Sequence, residues 1–152
     1  MKKIYKINKI KEIYGVPLTS SPAAFSTIKA HFKDTKREPL FYDLIVTGDL
    51  GTLGKEILVD MLNDEGIDIS KNYDDCGCMI FDIERQDMHA GGSGCGCGAV
   101  TLTGYIMDRL QKRELKNVLF IATGALLSPT STLQGESIPC IAHAVHLTSK
   151  EE

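Results

Sequence analysis

The apolar positions of this chain alternate between stripes at helical spacing and short continuous runs, and that alternation predicts its elements. Phe25, Ile28 and Phe32 share one helical face, behind a start signal in which Ser20 or Ser21 caps the helix and Pro22 is its first residue. Residues 43–47 (Asp-Leu-Ile-Val-Thr) form a short apolar run between turn residues, the pattern of a buried strand. Leu53, Ile57, Leu58, Met61 and Leu62 then give a helix that stops at Gly66. A polar connection over 68–75 leads into a strand over 76–81. Ala99, Leu102, Thr103, Ile106 and Leu110 mark a third helix, with Asp108, Arg109, Lys112 and Arg113 off the stripe. Residues 117–123 (Asn-Val-Leu-Phe-Ile-Ala-Thr) are the clearest buried strand, 124–135 a loop of small and hydroxyl residues, and 138–147 a last extended run. No helix-length segment separates those two final strands, so they pair antiparallel. The sum is an α/β chain in the order α-β-α-β-α-β-β, a mixed sheet with helices on both faces.

Glycine sharpens this picture. The stretch His89-Ala-Gly-Gly-Ser-Gly-Cys-Gly-Cys-Gly98 holds five glycines in ten positions, too many for a helix or strand interior, so it is a tight loop that runs into the third helix. Free N–H groups and the positive end of the helix dipole favour an anion there. His89, Gly91, Gly92, Ser93 and Gly94 are therefore candidate ligand contacts. A second glycine turn, Gly48-Asp49-Leu50-Gly51, follows the first strand, and Asp49 at that strand end is a further candidate, while 123–125 (Thr-Gly-Ala) is a third turn of the same kind. In open α/β sheets ligands gather at such strand ends. No Gly-Lys-Ser/Thr follows the glycines, which argues against a nucleotide phosphate loop.

Composition narrows the class. The 152 residues are 43% hydrophobic and 24% charged, enough for one domain with a real core. A formal net charge of −3 argues against a nucleic-acid surface, so no nucleic acid is expected as a partner. No window approaches the roughly 18 apolar residues of a membrane span, and no signal-peptide pattern opens the chain, so synthesis in the cytoplasm is expected. Residues 1–21 stand apart as a leader rich in lysine (Lys2, Lys3, Lys6, Lys9, Lys11), with Ile4, Ile7, Ile10 and Tyr14 on one helical face. An amphipathic helix on an anionic membrane has this pattern, although an exposed leader is the plainer expectation. The domain proper is 22–152.

The five cysteines, an odd number without a secretory signal, read as reduced thiols. Cys76-x-Cys78 and Cys95-x-Cys97 are spaced too tightly for a zinc knuckle, and on a strand Cys76 and Cys78 would share a face. No metal and no cofactor are expected. Cys95 or Cys97, at a helix N-terminus near His89, is a conceivable nucleophile. His143 and His146 fall on opposite faces of the last strand, one packed and one exposed, and His31 reads as an incidental surface residue. Ser128, Ser131 and Thr132 have no identifiable base beside them, which leaves a serine hydrolase unsupported.

Five separate motifs in order, over about 22–147, carry a family resemblance. They are Phe41-Tyr-Asp-Leu-Ile-Val-Thr-Gly-Asp-Leu-Gly51, Asp75-Cys-Gly77, His89-Ala-Gly-Gly-Ser-Gly-Cys-Gly-Cys97, Ala122-Thr-Gly-Ala-Leu-Leu-Ser-Pro129, and Gln134-Gly-Glu-Ser-Ile-Pro139 with Ile141-Ala-His-Ala-Val145. Together they resemble the C-terminal half of the stage V sporulation protein AD family. The resemblance implies a thiolase-like half, from a fold in which two similar α/β halves make a five-layered body, and a part in moving dipicolinic acid into the developing spore. It also implies other subunits of the spore dipicolinate channel as partners, and a place at the periphery of the inner forespore or spore membrane. His89 with the glycines after it is similar to the thiolase run His-Pro-x-Gly-x-Ser-Gly, except that Ala90 replaces the proline and one residue is missing. The thiolase nucleophile belongs to the other half. The expectation is accordingly a non-enzymatic, dipicolinate-binding component that associates with a separate N-terminal half or forms a homodimer. The alternatives are a thiolase-type acyltransferase half-domain using His89 and Cys95, and an inactive truncated copy that acts only through subunit pairing.

Overall fold

A computed structural model describes residues 16–91, 94–126, 128–136 and 138–149, and the side chains of all of these except 16–19, 131 and 132. The lysine-rich stretch 1–15, Gly92 and Ser93 lie outside the described residues. The chain runs α1 (Val16–Thr35), a 3-10 turn (Pro39–Phe41), β1 (Leu44–Thr47), α2 (Gly51–Asn63), β2 (Tyr73–Asp75), α3 (Cys76–Met79), α4 (Cys97–Thr101), a π-helical segment (Leu102–Ile106), α5 (Met107–Gln111), β3 (Asn117–Ala125), α6 (Pro129–Leu133) and β4 (Cys140–Thr148). Among the described residues the strands form one four-stranded sheet in the order β2-β1-β3-β4. β1 runs parallel to both β2 and β3, and β3 pairs antiparallel with β4 from Asn117 opposite Thr148 to Ala125 opposite Cys140. The mixed α/β sheet of the sequence reading is thus the observed fold.

Strand alternation builds a core on each face of the sheet. Ile45, Leu119, Ile121 and Ala142 point to one face and meet Ala24, Ile28 and Phe32 of α1 and Leu58 and Leu62 of α2. Val46, Val118 and Phe120 point to the other and meet Cys76, Cys97, Ile106 and Leu110. The outer face of β4 is covered only in part: Leu147 packs against the second core, while Ile141 and Val145 on the same face remain 56% and 50% exposed among the described residues. Among the described residues no helix is long and apolar enough to cross a membrane.

Four local expectations need correction. The first helix does not start at Ser20 or Ser21. It already runs from Val16, with Pro22 inside it, and the Ser21 hydroxyl donates to the Gly54 carbonyl at 3.1 Å, tying α1 to α2. The second strand lies at Tyr73–Asp75, three residues before the stretch predicted, because the Asp75 carboxylate accepts the Gly77 N–H and turns the chain into α3. Cys76 and Cys78 therefore sit on a helical turn and share no strand face. The loop expected over 124–135 is shorter, since β3 continues to Ala125 and α6 occupies its middle. In the third helix, Ala99 and Thr103 are exposed, and the inward residues are Cys97, Thr101, Ile106 and Leu110. The step of five between Thr101 and Ile106 is the π-helical segment: one extra residue in that turn moves the buried stripe off the 3.6 period.

One carboxylate ties three of these elements together. Asp75 is fully buried and accepts hydrogen bonds from Thr47 Oγ1 (2.6 Å) and Leu50 N (2.9 Å) on one oxygen, and from Gly51 N (2.9 Å) and Gly77 N (3.0 Å) on the other. Thr47 spends its proton on Asp75, so the Tyr73 hydroxyl, 2.8 Å away, donates to Thr47. Four donors around two oxygens leave no place for a proton, which marks the group as ionised. Burial raises the Asp75 carboxyl above the ordinary range, and the four hydrogen bonds pull it only part of the way back. Asp75→Asn would turn an amide N–H₂ onto two of those donors. It should cost about 3 kcal/mol of stability, read as a lowered midpoint in urea unfolding at unchanged slope.

Candidate functional site

The parallel strands β1 and β3 end side by side, and the glycine loop before α4 closes over their ends. Gly48 permits the approach, because a Cβ there would fall 2.6 Å from Thr123 Oγ1. Asp49 then stands between the two loops. Its Oδ1 accepts from Thr123 Oγ1 at 3.1 Å, and its Oδ2 accepts from Gly94 N at 3.4 Å. The structure thus brings together Asp49 and Gly94, two of the residues singled out in the sequence, and adds Thr123 from the third turn.

His89 and Gly91 are placed by different contacts. The Ala90 carbonyl accepts the Thr52 N–H at 2.8 Å, fixing the loop on the first turn of α2. Gly91 has φ +105°, and a Cβ there would lie 2.5 Å from the Gly77 carbonyl oxygen, so the loop also rests on α3. His89 adopts φ +49°, a conformation costly for a residue with a side chain. Its ring is 87% exposed, with Nδ1 3.9 Å from a carboxylate oxygen of Asp87, which is as exposed as the ring. The imidazole stands on the rim while Asp49 lies deeper.

The electrostatics of the crevice are acidic. The Cys97 thiol is pushed up by burial and then by the charges of Asp49 and Asp75. Burial and Asp75 push Cys76 up to about 12 and Cys78 up to about 11. These three thiols are protonated at neutral pH and are poor nucleophiles and poor metal ligands. Cys95 is exposed on the loop. Among the described residues no three His, Cys, Asp or Glu side chains converge on a point where a metal ion would be held. The Gly94 N–H expected to meet an anion is engaged by Asp49, so a bound carboxylate would displace Asp49 from it or meet His89 at the rim.

The family model for stage V sporulation protein AD (SpoVAD) matches residues 8–148. The chain is also 48% identical to the stage V sporulation protein AD of Bacillus subtilis (strain 168) over 136 residues, an alignment that spans 90% of this chain and 40% of that relative. The chain belongs to the SpoVAD family. Membership supports a role in sporulation, and the motifs that carry it here include both loops of the crevice. This SpoVAD-family chain spans well under half the length of its curated relative.

Asp75, in the sequence the end of a polar connection and part of the Asp75-Cys-Gly77 motif, belongs to the site's framework. The signal was present: an aspartate two residues before Gly77 is the pattern of a capped turn. The support for the loop can be tested on Gly91. Gly91→Ala combines a strained φ with a backbone clash and should lower stability by about 2–4 kcal/mol. Gly66→Ala, at φ +77° with open space around it, should lose about 1 kcal/mol in the same chemical denaturation.

Proposed function

We propose that this SpoVAD-family chain is a non-enzymatic, thiolase-like half that binds dipicolinate at the His89 loop, as a component of the spore dipicolinate transport apparatus. The observation that carries the reading is the posture of His89. Its loop is fixed from two sides through Ala90 and Gly91, its backbone is held at positive φ, and its ring is nevertheless turned to solvent, committed among the described residues to nothing stronger than Asp87 at 3.9 Å. Backbone cost spent on presenting an imidazole to solvent fits a ligand contact better than a packing role. Dipicolinate is an aromatic dianion. A ring N–H of His89 would donate to one carboxylate, and the Gly94 N–H would follow on leaving Asp49, whereas the Gly91 N–H is already given to the Met88 carbonyl at 2.9 Å.

A non-enzymatic role is supported by the raised thiols of Cys76, Cys78 and Cys97, none of which is poised to form an acyl intermediate. Partners in this reading are other subunits of the spore dipicolinate channel at the inner forespore or spore membrane. The uncovered part of the outer face of β4, with Ile141 and Val145, is surface open to a separate N-terminal half or a second copy of this chain.

Calorimetric titration of the purified chain with dipicolinate, beside benzoate and a His89→Ala variant, tests the reading. Binding should be selective for the dianion and weakened roughly 10- to 100-fold by His89→Ala, as expected for one charge-assisted hydrogen bond. No heat from a chain shown to be folded, or equal affinity in the variant, would overturn it.

A further inference from the structure

At the opposite end of the sheet a second cluster of titratable side chains has no place in the crevice. His31 of α1 lies 2.6 Å from the Tyr42 hydroxyl, measured from Nε2. Arg37, just beyond α1, donates from one Nη1 to Tyr42 Oη at 3.3 Å and to His146 Nδ1 of β4 at 3.0 Å. The other ring nitrogen of His146, Nε2, is 3.1 Å from Asn117 Oδ1 of β3. The Arg37 guanidinium also stacks 4.5 Å over the Phe41 ring, while Tyr42 and Phe41 meet the His146 ring edge to face at 5.2 and 5.8 Å. One arginine thus joins the end of α1, the 3-10 turn and β4.

The tautomers follow from the donors. A guanidinium only donates, so His146 Nδ1 is a bare acceptor and its proton sits on Nε2, facing Asn117. A second proton on His146 has no site except Nδ1, where it would abut Arg37 Nη1 and set two cations against each other. His31 differs. If its Nε2 gained a proton, that N–H would donate to Tyr42 Oη, and the tyrosine would turn its own hydrogen elsewhere. The charged groups acting on the pair are Arg37 on both rings and, on His31 alone, His146 opposing and Asp34 favouring its charged form. Burial first, and Arg37 second, hold both imidazoles below the ordinary histidine range.

We propose that His146 and Arg37 form a proton-operated latch on residues 36–43: neutral His146 holds Arg37 in place, and protonated His146 releases it. Arg37 also lines, with Phe32, Lys33, Lys36 and Pro39, an open cavity of about 820 Å3, so its release reshapes that surface. The sign follows from the lowered folded-state values. The latch is whole above the ordinary histidine pKa of about 6.5, and its contribution is lost as pH falls through the lower folded value.

Hydrogen exchange of the full chain, corrected for intrinsic rates at each pH, reads the latch directly. Between about pH 7.5 and pH 5, protection over 36–43 should fall by about tenfold, the equivalent of one lost charge-assisted hydrogen bond. His146→Gln, which keeps an acceptor and a donor without titrating, should abolish that change, and His31→Gln should leave it. Unaltered protection across the range, or the same response in His146→Gln, would overturn the proposal. Should His146→Gln fail to fold, histidine C2–H resonances of the unsubstituted chain decide instead. His146 should titrate below the ordinary histidine value of about 6.5, with the Phe41 ring signals moving in step, and titration of His146 without any response at Phe41 would equally overturn it.

Discussion

The buried carboxylate of Asp75 is the constraint on which the rest of the molecule depends. Its four hydrogen bonds reach the end of β1 through Thr47, the first residues of α2 through Leu50 and Gly51, and the start of α3 through Gly77. The glycine loop then leans on those same places: Thr52, next to Gly51, binds Ala90, and Gly91 rests on the Gly77 carbonyl. His89 is therefore positioned at second hand, from both sides, by a charge it never touches. A buried ion without partners would be costly, and here every acceptor position is filled, which is the condition under which such a group specifies structure.

The same charge sets the chemistry around it. Burial first, and then this fixed anion, joined at Cys97 by Asp49, raise the thiols, so Cys76 and Cys97 become small packing residues between the sheet and the helix that begins at Cys97. Asp49 extends the acidic character to the strand ends. In this setting the depth of the crevice favours cations or hydrogen-bond donors, and an anion is best met at the rim. The outward turn of His89 is consistent with that division: donor outside, acceptors within.

Much of the fold was legible because burial on both faces leaves an unmistakable apolar run, as in Ile45-Val46 and 118–121. β2 was not, since a three-residue strand reading Tyr-Asp-Asp carries neither an apolar run nor alternation, and its inward side chains are a tyrosine and a carboxylate satisfied by hydrogen bonds. The third helix was legible as a helix but not in its phase, because a π-helical segment breaks the period on which the reading rests. Of the candidate site, glycine density revealed both loops, and Asp49 and Gly94 meet. Gly92 and Ser93 lie outside the described residues. Tertiary contacts were the part that could not be read: His31 and His146 are far apart in sequence, and only the packing of α1 along β4 makes them neighbours of one arginine.

The two ends of the sheet consequently carry opposite chemistry for a topological reason. β1 and β3 run parallel, so both of their C-terminal ends deliver turns to the same side, where N–H groups at the starts of α2 and α3 hold Asp75, and the Thr123 hydroxyl and the Gly94 N–H hold Asp49. β4 runs back antiparallel and carries His146 to the other side, where α1 ends and Arg37 follows its last turn. There the backbone offers helix C-termini, which favour cations. Acidic groups collect where helices begin and basic ones where they end, so a single mixed sheet keeps a carboxylate-lined crevice and an arginine–histidine cluster at its opposite ends.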